Sequence, residues 1–418
     1  MQEAALEAIK PGKDLVLLSP TGSGKTLAFL LPLLAMADRN KAGVQALILT
    51  PSRELALQIE QVFKQMQTGM KVNACYGGHP MRTERNNMKE PPVLLVGTPG
   101  RIADHLRRES FDPTTIHYLV LDEFDKSLEL GFKNEMEFIV RQLTGLTARV
   151  LTSATALEEI PAFTGVSDPV VIDFTSELPV QRLNLCGVRA GGTDKLATLF
   201  HLICHLGNAS SLIFCNHRET VDRISDLLTE QGIIHGTYHG GLEQEDREIA
   251  LIKFRNGTHH LLLTSDLASR GLDIPEIRNV IHYQLPTTFT AWVHRNGRTA
   301  RMHAHGTAWL VLAAEDYVPK FIAEEVKFIA LPEKSAIPEI PVWETLYIGA
   351  GKKDKISKGD IAGFLMQKGQ LGKDDLGKIE VLDYASFAAV KRAFCKTVLL
   401  RVANDQIKKK TVKIDIAR

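Results

Sequence analysis

Two series of short apolar runs constrain the fold of this chain more than anything else in it. The first covers residues 14–19, 46–51, 72–78, 93–99, 118–123 and 150–155. These runs are rich in Val, Leu and Ile, most close on Gly, Pro, Ser or Thr, and helical patterns lie between them. Strand alternating with helix predicts a parallel sheet covered on both faces. The pattern fades across 168–179, where Pro169 and Pro179 bracket an extended segment. It restarts at 210–216, 233–240, 260–267, 279–286 and 306–312, predicting a second sheet of the same class. A chain of 418 residues has room for two to three domains.

A second break, 331–341, carries Pro332, Pro338 and Pro341 and reads as an extended linker. Beyond it the order changes to strand (346–349), helix (358–367), strands (378–382 and 387–391), helix (393–402) and strand (411–416). That is the βαββαβ plan used by many small RNA-binding modules. The whole chain carries a net charge of +1, yet residues 345–418 hold 16 Lys and Arg against 8 Asp and Glu. A basic appendage on an acidic body suggests a polyanionic partner, although a solvated lysine-rich surface has the same composition. The longest apolar stretch, 27–37, is broken by Pro32 and is too short to span a membrane. No secretion signal is visible, and Cys75, Cys186, Cys204, Cys215 and Cys395 have no paired spacing, so a cytoplasmic protein is expected. His201, Cys204 and His205 share a helical turn, but no fourth ligand accompanies them and a metal site is not expected there.

Two segments of the first series carry chemistry. Ser19-Pro20-Thr21-Gly22-Ser23-Gly24-Lys25-Thr26 joins a strand to a helix through a Gly-rich turn. Backbone N–H groups at such a helix start point at phosphates, and the helix dipole favours negative charge there. Thr21, Gly22, Ser23 and Gly24 would form the cradle, Lys25 would reach the β- and γ-phosphates of ATP, and Thr26 would ligate Mg²⁺. Ser19 stands where this pattern usually has its first Gly. Downstream, Asp122 closes an apolar strand and is followed by Glu123-Phe124-Asp125. Asp122 would hold the Mg²⁺ and Glu123 would polarise the attacking water.

With these residues in order, the chain resembles the DEAD-box RNA helicases of superfamily 2. The Asp-Glu-Ala-Asp signature appears as Asp122-Glu123-Phe124-Asp125. Pro51-Ser52-Arg53-Glu54-Leu55, Gly77-Gly78, Thr98-Pro99-Gly100-Arg101, Ser153-Ala154-Thr155, Gln244 with Arg247, 264–273 and 294–301 match further motifs of the family, with Ala300 replacing a usual Gly. The resemblance implies an α/β fold of two tandem RecA-like domains, 1–175 and 183–330, joined by a linker at 176–182. A Pro-rich linker at 331–342 would then lead to an RRM-like RNA-binding domain at 343–418.

The resemblance also implies roles. Gln2, at the family's spacing before Gly12-Lys13-Asp14, would read adenine. The family's adenine-stacking aromatic would lie upstream of Met1. Gly271 and Asp273 would face the nucleotide, with Asp273 on the ribose. Arg298 and Arg301, three apart on an expected helix, would share a face and reach the γ-phosphate. Asp125, Ser153 and Thr155 would couple the nucleotide to the moving interface. Pro51, Arg53, Gly78, Thr98, Arg101, Gln244, Arg247 and Thr264 would hold RNA by phosphates and 2′-hydroxyls, with little sequence information.

Residues 345–418 resemble the RNA-binding domain of the DbpA subgroup through 346–354, 358–365 and 377–379. That subgroup is associated with large-subunit ribosomal RNA. Only Tyr347 and Phe387 offer stacking aromatics on the expected sheet, so Lys352, Lys353, Lys355, Lys358 and the 408–410 run are the expected phosphate contacts. The expected activity is ATP-dependent, non-processive unwinding of RNA, with no membrane partner and no oligomer required. An RNA-binding clamp with weak turnover and a DNA helicase are the alternatives.

Overall fold

The structure, a computed structural model, describes all residues except 21–22, 79, 156–158, 176–182, 267–276, 300–305, 333–334, 404 and 409. The first sheet contains β1 (Leu15–Leu18), β2 (Ala46–Leu49), β3 (Val72–Cys75), β4 (Leu94–Gly97), β5 (Tyr118–Leu121), β6 (Ala148–Ser153) and β7 (Val170–Asp173). They pair in the order β3-β4-β2-β5-β6-β1-β7, all parallel. Alternation along each strand feeds two layers. Leu15 and Leu17 pack with Phe29 and Leu30 on one face, while Val16 and Leu18 pack with Leu121 and Phe124 on the other. Burial on both faces explains why β1, β2 and β4 read as continuous apolar runs.

The second sheet contains β8 (Asn184–Arg189), β9 (Ser211–Phe214), β10 (Gly236–Tyr238), β11 (Leu261–Thr264), β12 (Asn279–His282), β13 (Thr307–Leu312) and β14 (Lys327–Phe328). Their order is β10-β11-β9-β12-β13-β8-β14, again all parallel. Both sheets gain strands that the apolar pattern did not predict. β7 lies within the segment read as an extended break, and it pairs with β1 at the sheet edge. Its Val171 is 59% exposed, so no buried face marks it. β8 and the two-residue β14 were likewise unread.

The third sheet is antiparallel, in the order β16-β17-β15-β20, from β15 (Trp343–Ile348), β16 (Leu376–Val381), β17 (Ser386–Lys391) and β20 (Ile414–Ile416). β18 (Gln406–Ile407) and β19 (Lys410–Thr411) form a separate small ladder, so the strand expected over 411–416 is shorter than read. The helices Lys358–Gln367 and Arg392–Val402 cover one sheet face. The first starts at a reciprocal cap, in which Ser357 Oγ accepts from the Asp360 N–H and the Asp360 carboxylate accepts from the Ser357 N–H.

Phe124, where the family has alanine, does not crowd its helix. It is fully buried against the apolar layer that includes Met136 and Ile139, with the Phe163 ring centroid at 6.3 Å. Phe124→Ala is therefore expected to destabilise the first domain by about 3–5 kcal/mol, although alanine is the residue the family uses. Denaturant unfolding of the two proteins measures it, and an unchanged midpoint would show that the core closes over the missing ring.

Candidate nucleotide and RNA site

Ligands of open parallel sheets bind outside the carboxyl ends of the strands. Here those ends bring together the turn after β1, Asp122 after β5 and Ser153 at the end of β6. Gly24 has φ +93°, a left-handed conformation that admits glycine, and it opens the helix Lys25–Met36. The Lys25 ammonium is buried and donates to Ser19 O at 2.7 Å. Gln2 stands in the helix Gln2–Ala8, and its amide nitrogen would lie 2.4 Å from a Cβ added at Gly24. The amide expected to read adenine is thus pressed against the phosphate turn. Thr26 is the second residue of the helix that Gly24 opens. Thr21 and Gly22 lie outside the described residues, as do Gly271, Asp273 and Arg301.

Asp122 and Glu123 are buried, and Glu123 sits at φ 47°, ψ 53°, a costly conformation for a non-glycine residue. Burial, then the neighbouring Glu123 charge, pushes the Asp122 carboxyl up to about 6. The Thr152 hydroxyl donates to Asp122, and that hydrogen bond and Lys25 pull the other way. One Glu123 oxygen, Oε2, is buried with no hydrogen-bond partner. Two adjacent buried carboxylates with spare lone pairs fit a hard divalent cation held by oxygen ligands.

Asp125 joins the two parallel-sheet domains. Thr155 Oγ1 donates to Asp125 Oδ2 at 3.1 Å, and His294 Nε2, from the second domain, lies 3.4 Å from the same oxygen. Burial alone would raise the Asp125 carboxyl, but His294, the Lys126 N–H and Lys25 outweigh it and hold it below the usual range. Ser153 acts at one remove: its hydroxyl donates to Thr155 O and accepts from the Thr155 N–H. His294 stood inside a matched motif without an assigned role, because its partner is 169 residues away. Nearby, Arg295 is buried and binds Asp266, Gln284 O and Asn216.

The expected helix carrying Arg298 and Arg301 is corrected. The helix Phe289–Asn296 ends with Gly297 as its cap, so Arg298 lies beyond it. The Arg298 N–H donates to Arg295 O in a turn, and its side chain is 1% exposed. Loss of the helix breaks the shared-face argument, and Arg298 stands buried in the turn that follows Gly297.

The expected RNA contacts divide into two groups. Arg53 lies over Gly78, where an added Cβ would be 2.7 Å from Nη1, and the same nitrogen donates to Gln244 Oε1 across the domains at 3.3 Å. Arg247 donates to that Gln244 oxygen as well. Others are turned inward. Thr264 is fully buried and donates its hydroxyl to Tyr238 O and Ser265 O, which withdraws it from direct contact. Arg101 donates to Tyr76 O at 3.0 Å and pairs with Glu84 at 3.2 Å, bracing the turn at Gly77-Gly78. Pro51 is buried, and Thr98 occupies the cap before the helix Pro99–Arg107. Glu84 also meets His105 at 2.8 Å, and Cys75 completes a buried group with metal-ligand spacing. The Arg101 guanidinium already balances that carboxylate. Among the described residues, His201, Cys204 and His205 form no such group.

The basic domain binds the second domain through its open sheet face. Phe387, 2% exposed, packs with Ile252, Ile249, Tyr347 and Ala417. Arg255 donates to both oxygens of Glu380 at 2.7 Å, and Thr258 and Thr345 share a hydrogen bond of 2.7 Å. The two candidate stacking aromatics are therefore used in docking. Lys352, Lys353, Lys355 and Lys358 all remain exposed. Lys408 and Lys410 pair with Asp360 and Asp354, which fastens the small ladder beside that lysine edge.

Comparison with known proteins identifies the family. The DEAD/DEAH box helicase family matches residues 1–163, the helicase conserved C-terminal domain matches 194–303, and the DbpA RNA binding domain matches 345–416. The chain is 33% identical over 431 residues to the ATP-dependent RNA helicase DbpA of Escherichia coli (strain K12), covering 100% of this chain and 94% of that protein. Identity to the Bacillus subtilis (strain 168) protein of the same name is 30% over 450 residues, covering 100% and 94%. The structure is similar to S. cerevisiae Dbp5 bound to RNA and ADP BeF3, with a TM-score of 0.70 and 28% identity over 78% of this chain and 88% of that one. The chain belongs to the DEAD-box ATP-dependent RNA helicases, in the type that carries a DbpA RNA-binding domain.

Proposed function

We propose that this helicase opens short RNA duplexes locally, without processive travel, and that its basic C-terminal domain brings it to ribosomal RNA during large-subunit assembly. The observation that carries the unwinding reading is Asp125, held by Thr155 of the first domain and His294 of the second. Through it, events beside Asp122 and Glu123 bear directly on closure of the cleft.

The residues divide the work physically. The turn at 21–26 and Lys25 hold the ATP phosphates, and the Gln2 amide faces adenine. Asp122 and Thr26 would hold Mg²⁺, which when bound neutralises phosphate charge. Glu123 orients the water, and its unpartnered oxygen has the lone pair that task needs. Arg298 stabilises the charge that develops in the transition state. Arg53, Gln244 and Arg247 straddle both domains, so a strand bound there favours the closed cleft. Hydrolysis removes the γ-phosphate and with it the reason to stay closed. Nothing at Phe124 favours a clamp without turnover, because the ring is absorbed by the core.

ATPase rates with poly-RNA, DNA and total ribosomal RNA, measured side by side, test the reading. Stimulation by RNA alone is expected; equal stimulation by DNA would overturn the RNA assignment, and tight RNA binding without turnover would favour the clamp. Deleting residues 343–418 should spare ATPase activity at high generic RNA and abolish the preference for ribosomal RNA. Because deletion bares Ile249 and Ile252, the double variant K352E/K353E is the companion test. An unchanged preference in both would refute targeting by this domain.

A further inference from the structure

One cavity has walls from all three domains. About 730 Å³ in volume, it is lined by Gln58 and Gln61 of the first domain, Gln244 and Arg247 of the second, and Lys358 and Lys378 of the third. That volume falls within the roughly 300–1,000 Å³ of pockets that take small organic groups. Resting on the RNA reading above, we propose that this cleft receives an unpaired RNA base next to the strand held by the helicase core.

Continuity is the first argument. Gln244 and Arg247 line the cleft, and Gln244 also bonds Arg53 across the two core domains. A strand lying on those residues must pass the mouth of the cleft. Charge is the second. Glu54, Glu248 and Glu380 offset Arg247, Arg255, Lys358 and Lys378 along the walls. A near-neutral cleft suits a base, whereas a phosphate track needs an excess of cations. Donor and acceptor capacity is the third. Side-chain amides present both, as base edges require, and carboxylates accept from exocyclic amines. Three buried polar atoms of lining residues have no hydrogen-bond partner: Glu54 Oε1, Gln58 Oε1 and Arg247 Nε. Buried polar atoms are seldom left so unless a ligand or water completes them.

The cleft differs in kind from the lysine edge at 352–355, which offers charge without amides. It would give the enzyme a means of reading one base where the core reads none. It also exists only while the third domain is docked through Arg255 and Glu380.

The test uses the full chain with Gln61→Ala and Lys378→Ala combined. Both side chains are exposed, so the fold should be unaffected. The probes are a single-stranded RNA of about six nucleotides and the same strand extended to about twelve, with 4-thiouridine in the added part. The expected result is a rise of about tenfold in the ATPase KM for the extended strand, the equivalent of one lost polar contact set, with no change for the short one. The wild-type chain should crosslink the 4-thiouridine to 58–61 or 378. Equal KM values for variant and wild type, an equal rise for both RNAs, or crosslinks confined to 352–355 would each overturn the cleft site. Failure of both RNAs to stimulate wild-type ATPase would instead overturn the RNA reading on which the cleft rests.

Discussion

Lys25→Ala is expected to lower ATP turnover by about 10²–10³-fold, the cost of removing one preorganised charged donor from a phosphate site. The argument rests on placement. Lys25 is the first residue of the helix after the turn, its ammonium is buried, and it is held to Ser19 O at the mouth of the turn. Alanine at that position keeps the helix, since it is the strongest helix former. The loss should therefore appear in phosphate release at saturating RNA, while circular dichroism stays unchanged. Retained turnover in a folded variant would remove the nucleotide from this turn.

Arg298→Ala should cost more, about 10³-fold or beyond in hydrolysis, because an arginine of this kind acts on charge present only in the transition state. RNA affinity should change little. Arg298 is 1% exposed, so Arg298→Lys serves as the partner variant. It retains the charge but loses the planar fork, and it is expected to stay folded and still hydrolyse slowly. Single-turnover hydrolysis combined with RNA binding separates the outcomes. A wild-type rate in either variant would strip Arg298 of the transition-state role proposed for it, leaving it a structural residue of the turn after Gly297.

Legibility followed from how local each feature is. The placement of the Gly-rich turn and of Asp122 at strand ends was readable because parallel strands buried on both faces write themselves as apolar runs that end there. β7 was not, because its valines face solvent at an edge and only pairing with Leu15–Leu18 makes it a strand. The Arg298–Arg301 spacing suggested a helix, but the turn from Gly297 to Thr299 interrupts it. His294 was visible as a letter in a motif, yet its work depends on Asp125 in the other domain. The docking of the third domain was invisible for the same reason: Arg255 and Glu380 are 125 residues apart and belong to no pattern. Composition set the aromatic sheet face aside as an RNA platform, without showing that Ile249 and Ile252 pack against it.

That docking changes how force would travel. Helix Gln244–Arg255 carries Gln244 and Arg247 at its start and, through Ile252 and Arg255, the third domain further along. A module hung on a slack tether would only raise the local concentration of its cargo. A module bolted to a moving helix swings with it, so each closing stroke of the cleft would drag any RNA bound to that module through an arc. On the proposed closure the arrangement would be a crank rather than a leash, and shortening or stiffening its arm would alter the displacement per ATP without touching either catalytic domain.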